Sequence, residues 1–416
     1  MPFSSWVEVD LDILDRNLDA LRRLAGPGRE IILVIKADAY GHGAVEVARA
    51  AAARGVRQFG VATLHEGIQL RVAGIRADIW VLSPLLASEI PQALAHDLEP
   101  TLPSLDFARD LSAAAVSRGR PVRVHVEVDT GMGRTGIDAT EAVEFVVAVE
   151  ALPGLRVGSV YTHFPDADAE DLSFARDQVE RFEGVLAGLR ACGITPPLVH
   201  AANSAATLRL PESRLGLVRP GLAAYGLAPP NAPGEGLEPA MTFRSRLVQV
   251  RRIRAGRPIS YGRSFVTRRD SLIGVVPVGY GHGYSWLCSN RGAMLVSGRR
   301  VPIVGRVTMD LTMLDLTDLA TERLPEPGDP VVLFGRQNGV ELSVTELAAW
   351  SETLPYEVLC TLGKRVTRIY LRGGRPWRVR TLVGEMDPGL TPPSGENGGS
   401  VPREERSLGH SSFQSR

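Results

Sequence analysis

The sequence predicts an α/β protein: an N-terminal (β/α)8 barrel of the TIM type followed by a C-terminal, predominantly β domain. Three observations carry that expectation. Over roughly the first 230 residues, short apolar runs alternate with longer amphipathic stretches, the repetition of a parallel sheet with crossover helices. A region of roughly 200–250 residues suits eight such units. Around Ala228–Pro239 the chain turns to A-P-P-N-A-P-G-E-G-L-E-P, a turn-forming linker, and beyond it the apolar runs become short and punctuated by Gly and Pro. The expected division is a barrel over 5–235, a β domain over 236–380 and a disordered tail over 381–416. A doubly wound open sheet is the alternative for the first part. Its dinucleotide-binding version is weakened because no G-x-G-x-x-G joins the first strand to the first helix.

Taken in order, Leu11–Arg23 places Leu11, Leu14, Leu18 and Leu21 at helical spacing, with Asp10 as a cap. Ile31–Ile35, Gln58–Ala62, Ile79–Leu82, Val122–Val128, Gly158–Thr162 and Leu198–Ala201 read as buried strands. They are short, rich in β-branched residues and bounded by breakers. Ala44–Arg54 is a helix stopped by Gly55, and Arg176–Cys192 is another stopped by Gly193. Beyond the linker, Met241–Val250, Leu272–Pro277, Ala293–Val296, Val301–Val307 and Val331–Phe334 read as strands of a small antiparallel domain. Leu342–Ser351 is a helix with a capping box at Ser343 and Glu346. From about Val383 the chain is Pro-, Gly- and Ser-rich.

The 416 residues are 44% apolar and 23% charged with zero net charge, which argues against a sequence-independent polyanion binder. No apolar run approaches the ~20 residues that span a bilayer, and the first residues show no secretory pattern. Neither a nucleic acid nor a membrane is therefore expected as a partner. Cys192, Cys288 and Cys360 form neither a disulfide framework nor a metal knuckle, so the chain reads as cytoplasmic. Its 47 basic side chains include only two lysines, Lys36 and Lys364. That scarcity narrows any chemistry that needs an amine.

V-I-K-A-D-A-Y-G-H-G, residues 34–43, ends an apolar strand in Lys36, where the strands of a barrel face its active site. Burial there disfavours the ammonium form, and the freed amine can make a Schiff base with an aldehyde or ketone. Tyr40 and the glycines after it offer a hydroxyl and close backbone approach to a phosphate. V-E-V-D-T-G-M-G-R-T-G, residues 126–136, sets Arg134 among turn glycines, suited to a carboxylate or to an oxygen of a cofactor. Y-T-H-F-P-D-A-D puts His163 at another strand end, more a hydrogen-bonded neighbour than an acid–base; Asp166 and Asp168 read as solvated or capping, and no metal is expected. Asn203 and Ser204 open a helical stretch, and Gly221 and Leu222 a tight turn, which together make a phosphate cup in the last strand–helix loops. Arg219, flanked by apolar residues, is expected to be partly buried and to need a partner. In the second domain, P-I-S-Y-G-R-S-F with Tyr261 and P-V-G-Y-G-H-G-Y with Tyr280 are tyrosine–glycine turns. V-P-I-V-G-R-V-T-M-D carries Arg306, Met309 and Asp310.

From about Ser5 to Tyr370 these motifs resemble, in order and spacing, the alanine racemases, bacterial enzymes that interconvert L- and D-alanine with pyridoxal 5'-phosphate and supply D-alanine for peptidoglycan. The resemblance implies a homodimer with two shared active sites. It assigns Lys36 to the Schiff base, Tyr40, Ser204, Gly221, Leu222 and Tyr356 to the phosphate, and Arg219 to the pyridine nitrogen with His163 beside it. Asn203 is expected at the cofactor too. Tyr261 would be the second base, from the partner; Arg134 and Met309 would receive the substrate carboxylate; Tyr280, Arg306 and Asp310 would lie on the access side. Two bases suit the chemistry, because racemisation needs one on each face of the α-carbon. Lys36 would serve the D-alanine face and Tyr261 the L-alanine face.

The chain departs from the pattern at four places. Glu127 stands where many members carry a carbamylated lysine that orients the active-site arginine, His282 replaces an aspartate, Thr308 a cysteine and Pro355 an asparagine. A glutamate supplies the anion without carbon dioxide; the other changes bear on selectivity, so a racemase of broader or serine preference is the near alternative. A barrel-type amino-acid decarboxylase is disfavoured by the arginine at the pyridine position, and a non-enzymatic cofactor carrier by the matching motifs of the second domain. Lys364, before the alternating R-V-T-R-I-Y, reads as structural.

Overall fold

The computed structural model describes residues 3–319 and 324–386. Its first strand, β1 (Ser5–Asp10), does not enter the barrel. It lies between Met241–Arg246, antiparallel, and Thr367–Arg372, parallel, in the sheet of the second domain. Asp10 then accepts the amides of Asp12 and Ile13 and starts the helix Leu11–Ala25, whose predicted leucine stripe is buried.

The barrel follows. Its strands are β2 (Glu30–Val34), β3 (Gln58–Val61), β4 (Asp78–Val81), β5 (Glu99–Pro100), β6 (Val122–Asp129), the short β7 (Ile137–Asp138), β8 (Leu155–Tyr161), β9 (Leu198–His200) and β10 (Leu217–Val218). They pair in parallel in the order β5-β4-β3-β2-β10-β9-β8-β6-β7. A parallel bridge between Thr101 and His125, with the Leu102 amide donating to the His125 carbonyl at 2.9 Å, brings the β5 end onto β6 and closes the ring. The expected barrel is thus present and the open sheet is not. Strands β5 and β10 went unpredicted because two residues carry no periodicity.

The second domain is mostly antiparallel. A sheet runs from Arg299–Pro302 through Ala293–Val296, Pro330–Gln337 and Met241–Arg246 to β1, and on to Thr367–Arg372, Arg375–Thr381 and Gly384–Met386. A three-stranded sheet of Gln249–Ile253, Ser271–Val276 and Thr312–Asp315 stands beside it. The Ser343–Glu346 capping box forms as the sequence predicts. Residues 381–386, expected in the tail, instead finish a hairpin, Val379 opposite Met386; the rest of the expected tail lies outside the described residues.

Candidate active site

Strand β2 delivers Lys36 to the mouth of the barrel, and the next four residues take an unusual path. Ala37, Asp38, Ala39 and Tyr40 all have φ between 51° and 56°. L-residues adopt that left-handed turn at a cost of roughly 1–2 kcal/mol each, so the surroundings must over-determine it. The Glu66 carboxylate accepts the amides of Ala37 and Ala62, both at 2.7 Å, and Asp38 accepts the Ala44 amide at 2.9 Å while pairing with Arg380. The glycines that follow do not cradle an anion, as the sequence suggested. A Cβ on Gly41 would come within 2.1 Å of the Leu359 carbonyl, and one on Gly43 within 1.8 Å of the Tyr370 hydroxyl. Both therefore seat the turn against the second domain.

Lys36 opens into a cavity of about 630 Å³. Burial, with the Arg134 charge nearby, pulls its amine below the ordinary lysine range. On one side stand Tyr40, Ser204, Gly221, Leu222 and Tyr356. The Ser204 hydroxyl oxygen accepts the Gly221 amide at 2.9 Å and the Ala223 amide at 3.2 Å, which folds the tight turn. Gly221 is needed there: a Cβ would meet the Tyr40 hydroxyl at 2.5 Å. Burial raises the Tyr40 phenol, and burial with Asp168 raises that of Tyr356, so both keep protons to donate to an anion. Tyr356 reaches the cavity of its own chain from the second domain, on the helix Pro355–Cys360. Asn203 borders the cavity, but its carboxamide caps the helix through the Ala206 amide and donates to the Phe164 carbonyl.

Arg219 forms the opposite wall and is only 4% exposed. It donates to the carbonyls of Thr162 at 2.7 Å and Ala201 at 3.0 Å, to His163 Nδ1 at 3.1 Å and to His200 Nδ1. Its guanidinium lies 5.0 Å over the Tyr161 ring. Burial brings its pKa down to about 10, so it stays charged at neutral pH. Burial and the Arg219 charge push His163 well below the usual histidine range; it is neutral, in keeping with a supporting role.

Arg134 rises from a loop wound around Asp129, whose carboxylate accepts the amides of Gly131, Met132 and Gly133 at 2.8–3.2 Å. Glu127, 3% exposed, faces the cavity below it, accepts the Thr135 hydroxyl at 2.7 Å and lies 3.9 Å from Arg134.

Five predicted residues do not border this cavity. Tyr261, Tyr280, Arg306, Met309 and Asp310 gather on the second domain. The Ser260 hydroxyl donates to the Arg306 carbonyl, and the amides of Tyr280 and Gly281 donate to the carbonyls of Thr308 and Met309, which ties these turns into one face. Tyr261 is 73% exposed, Met309 49% and Tyr280 47%. Arg306 stacks on Trp286, and Asp310 pairs with Arg365.

Sequence reasoning missed Met132, Tyr161 and Cys360 on the cavity wall, Glu66 behind the lysine turn and His200 behind Arg219. A polar or aromatic residue ending a buried strand, as Tyr161 and His200 do, was the available signal.

Known proteins match along the same lines. Residues 9–229 fit the alanine racemase N-terminal domain family and residues 240–370 the C-terminal domain family. The alanine racemase of Desulforamulus reducens is 42% identical over 370 residues, 88% of this chain and 98% of its own. The structure of Bacillus anthracis alanine racemase with bound L-Ala-P superposes with a TM-score of 0.85 at 36% identity, covering 92% of this chain and 99% of that one. Alanine racemase from Bartonella henselae with covalently bound pyridoxal phosphate gives 0.81 at 29% identity, covering 89% and 100%.

Proposed function

Because the chain belongs to the alanine racemase family, and is an isomerase that interconverts L- and D-alanine with pyridoxal phosphate, we propose that Lys36 and the Tyr261 of a second copy are its two bases. In this reading the barrel, with Tyr356 from the second domain of the same chain, holds the cofactor, and the second-domain turns that carry Tyr261 and Met309 complete the partner's site in a homodimer. The observation that carries it is the cavity itself. A lysine with a depressed pKa, the turn of Gly221 and Leu222 beside Ser204, and a buried arginine share it, while Tyr261 stands exposed elsewhere on the chain.

The residues present fit the cofactor. Ser204, the Gly221–Leu222 turn, Tyr40 and Tyr356 would hold its phosphate, Lys36 its aldehyde carbon and Arg219 its ring nitrogen. Bound there, pyridoxal phosphate supplies an electron sink that acidifies the α-proton of an attached amino acid. Lys36 Nζ, unprotonated more readily than an exposed amine, takes or returns that proton on one face. The partner's Tyr261 does so through its hydroxyl on the other. Arg219 offers only hydrogens and keeps them, so it does not protonate a ring nitrogen opposite it, and this limits the sink to what racemisation needs. Arg134, with Met309 of the partner subunit, receives the substrate carboxylate, and Glu127 holds Arg134 in place.

Among the described residues no helix is long and apolar enough to cross a membrane. Cytoplasmic residence and a role in D-alanine supply for peptidoglycan follow the family. Incubation with L-alanine and the cofactor, following D-alanine and carbon dioxide together, tests the reading: D-alanine without carbon dioxide supports it, and carbon dioxide without D-alanine overturns it. L-serine in the same assay measures how strictly alanine is preferred.

A further inference from the structure

We propose that Glu99 and His125, at the far end of the barrel, are positioning residues for Arg219: through Ser159 and His200 they orient the file of hydrogen-bonded dipoles that stabilises its guanidinium. The inference rests on the cofactor-facing role of Arg219 given above.

A single file of hydrogen bonds crosses the barrel interior. Arg219 Nη1 meets His200 Nδ1. His200 Nε2 lies 3.1 Å from Ser159 Oγ, which lies 2.8 Å from His125 Nδ1. His125 Nε2 lies 3.1 Å from Glu99 Oε2. The other Glu99 oxygen is held at 3.0 Å by Arg123, which also reaches Asp78 at 3.1 Å. His125, Ser159 and His200 are fully buried. Glu99 and Arg123 border a separate cavity among the starts of the barrel strands, at the opposite end from Lys36.

The chemistry of the two ends allows only one direction through this file. A guanidinium can only donate, so His200 Nδ1 must accept and its proton must sit on Nε2. That proton goes to Ser159, whose hydroxyl then donates to His125 Nδ1, and His125 donates from Nε2 to a carboxylate that can only accept. Every member is satisfied in this sense. Reversing any link sets two donors or two acceptors against each other. Burial holds both imidazoles neutral, as the arrangement requires. Stacking restrains their rotation, with Trp80 at 3.8 Å from the His125 ring and Tyr161 at 4.7 Å from the His200 ring. The β6–β8 ladder shifts register between Val124 and His125, and this sets His125 directly opposite Ser159.

Arg219 needs such support. Among the described residues its hydrogen-bond partners are two carbonyls and two imidazoles, none of them an anion; the Glu127 charge reaches it only through space, and a poorly compensated buried charge is costly. The file ends in the Glu99 carboxylate and orients every dipole on the way toward it, which stabilises the charged guanidinium.

Selective ¹⁵N-histidine labelling of the holoenzyme reads the arrangement directly. His125 and His200 are expected as neutral Nε2–H tautomers in the wild-type enzyme. In Glu99→Gln the carboxamide can donate as well as accept, so His125 should show mixed tautomers while Arg219 still holds His200 as the Nε2–H form, and Glu99→Asp should restore the single His125 tautomer. Arg219, less well compensated, should then share its proton more readily, and pyruvate formed per racemisation event should rise about tenfold, one pK unit of differential stabilisation. A wild-type His125 or His200 carrying its proton on Nδ1 overturns the proposal, even if Glu99→Gln fails to fold. So does a Glu99→Gln enzyme with unchanged tautomers. A wild-type enzyme that racemises nothing overturns the cofactor reading, whereas the tautomers test the file independently of it.

Discussion

The Glu127 carboxylate lies 3.9 Å from the Arg134 guanidinium and is clamped by the Thr135 hydroxyl at 2.7 Å. Arg134 is half exposed, so the ion pair itself adds little stability. Its value is orientation. In the proposed site the buried carboxylate would draw toward itself a long side chain that otherwise samples several rotamers over the cavity. Glu127→Gln keeps the shape and the Thr135 contact but loses the charge, so KM for alanine should rise roughly tenfold with a smaller change in kcat. Added bicarbonate should leave the wild-type rate unchanged, since the anion is built into the chain. Full activity in Glu127→Gln would remove this role.

Lys36 is the lysine at the cavity, and Lys364 borders a different one behind the turn. Borohydride reduction of the holoenzyme should therefore fix the cofactor on Lys36 alone, as peptide mass spectrometry would show. Lys36→Arg should bind cofactor reversibly and racemise at least about a thousandfold more slowly, because arginine cannot act as nucleophile or base at neutral pH. Label recovered on Lys364 would contradict the assignment.

Tyr261 stands on the second domain, away from the cavity that holds Lys36, which makes the shared site testable by complementation. Tyr261→Phe and Lys36→Ala should each abolish most racemisation, the former by about a hundredfold or more, as expected for loss of a positioned base. Unfolded together and refolded as a mixture, the two variants should regain about a quarter of wild-type activity, because half of randomly formed dimers are hybrids with one intact site. Recovery no greater than the two variants measured separately would mean that each chain builds its site alone.

Much of the barrel was legible because its signals are local. The leucines of Leu11–Ala25, the apolar runs of β2, β3 and β4 and the Ser343–Glu346 box each specify an element within a few residues. What could not be read depends on partners distant in the chain. The sequence of β1 looks like any half-buried strand, and only its pairing with Met241–Arg246 and Thr367–Arg372 removes it from the barrel. The file from Glu99 to Arg219 joins residues from separate strands, so no spacing announces it. Its one local trace is polar residues two apart in buried strands, His125 with Glu127 and Ser159 with Tyr161. Lys36, Tyr40, Arg134, Ser204, Arg219 and Gly221 were found through their motifs, but Tyr356 and the proposed second base, Tyr261, were placed only through family resemblance, since a tyrosine in a turn or short helix is not distinctive.

His42 links the lysine turn to pH. Its ring stacks on Tyr225 at 4.4 Å, and Nδ1 lies 3.0 and 2.9 Å from the carbonyls of Ala39 and Tyr40. Burial lowers its pKa to about 4, from an ordinary 6.5. Between those values the unfolded chain binds a proton that the folded chain does not, so stability falls as pH drops from 6.5 toward 4. The full shift is worth about 3 kcal/mol. The buried imidazoles of His125, His163 and His200 act in the same direction. The melting temperature should therefore decline between pH 7 and pH 5, and less steeply in His42→Phe, which keeps the stack but has no group to protonate. An equal slope in both proteins would assign the acid sensitivity elsewhere.

With Arg219 opposite the ring nitrogen, as proposed, its charge would decide which reaction the cavity favours. As a permanently charged donor with a pKa near 10, it keeps its protons at neutral pH and leaves the ring nitrogen of a bound cofactor without one. A weaker electron sink would favour return of the proton to the α-carbon over its delivery elsewhere. Arg219→Glu would replace that donor with a carboxyl group able to share a proton with the nitrogen. Racemisation should slow, and pyruvate released by transamination should rise at least about tenfold relative to D-alanine, the factor that 1.4 kcal/mol of altered barrier supplies. Arg219→Lys keeps the charge but loses the planar fork that bridges Thr162, Ala201 and the two histidines. It should lower both rates with a smaller change in their ratio. Pyruvate coupled to lactate dehydrogenase, with D-alanine quantified in parallel by chiral chromatography, gives the ratio, and an unchanged ratio in Arg219→Glu would show that the charge opposite the ring does not set the outcome.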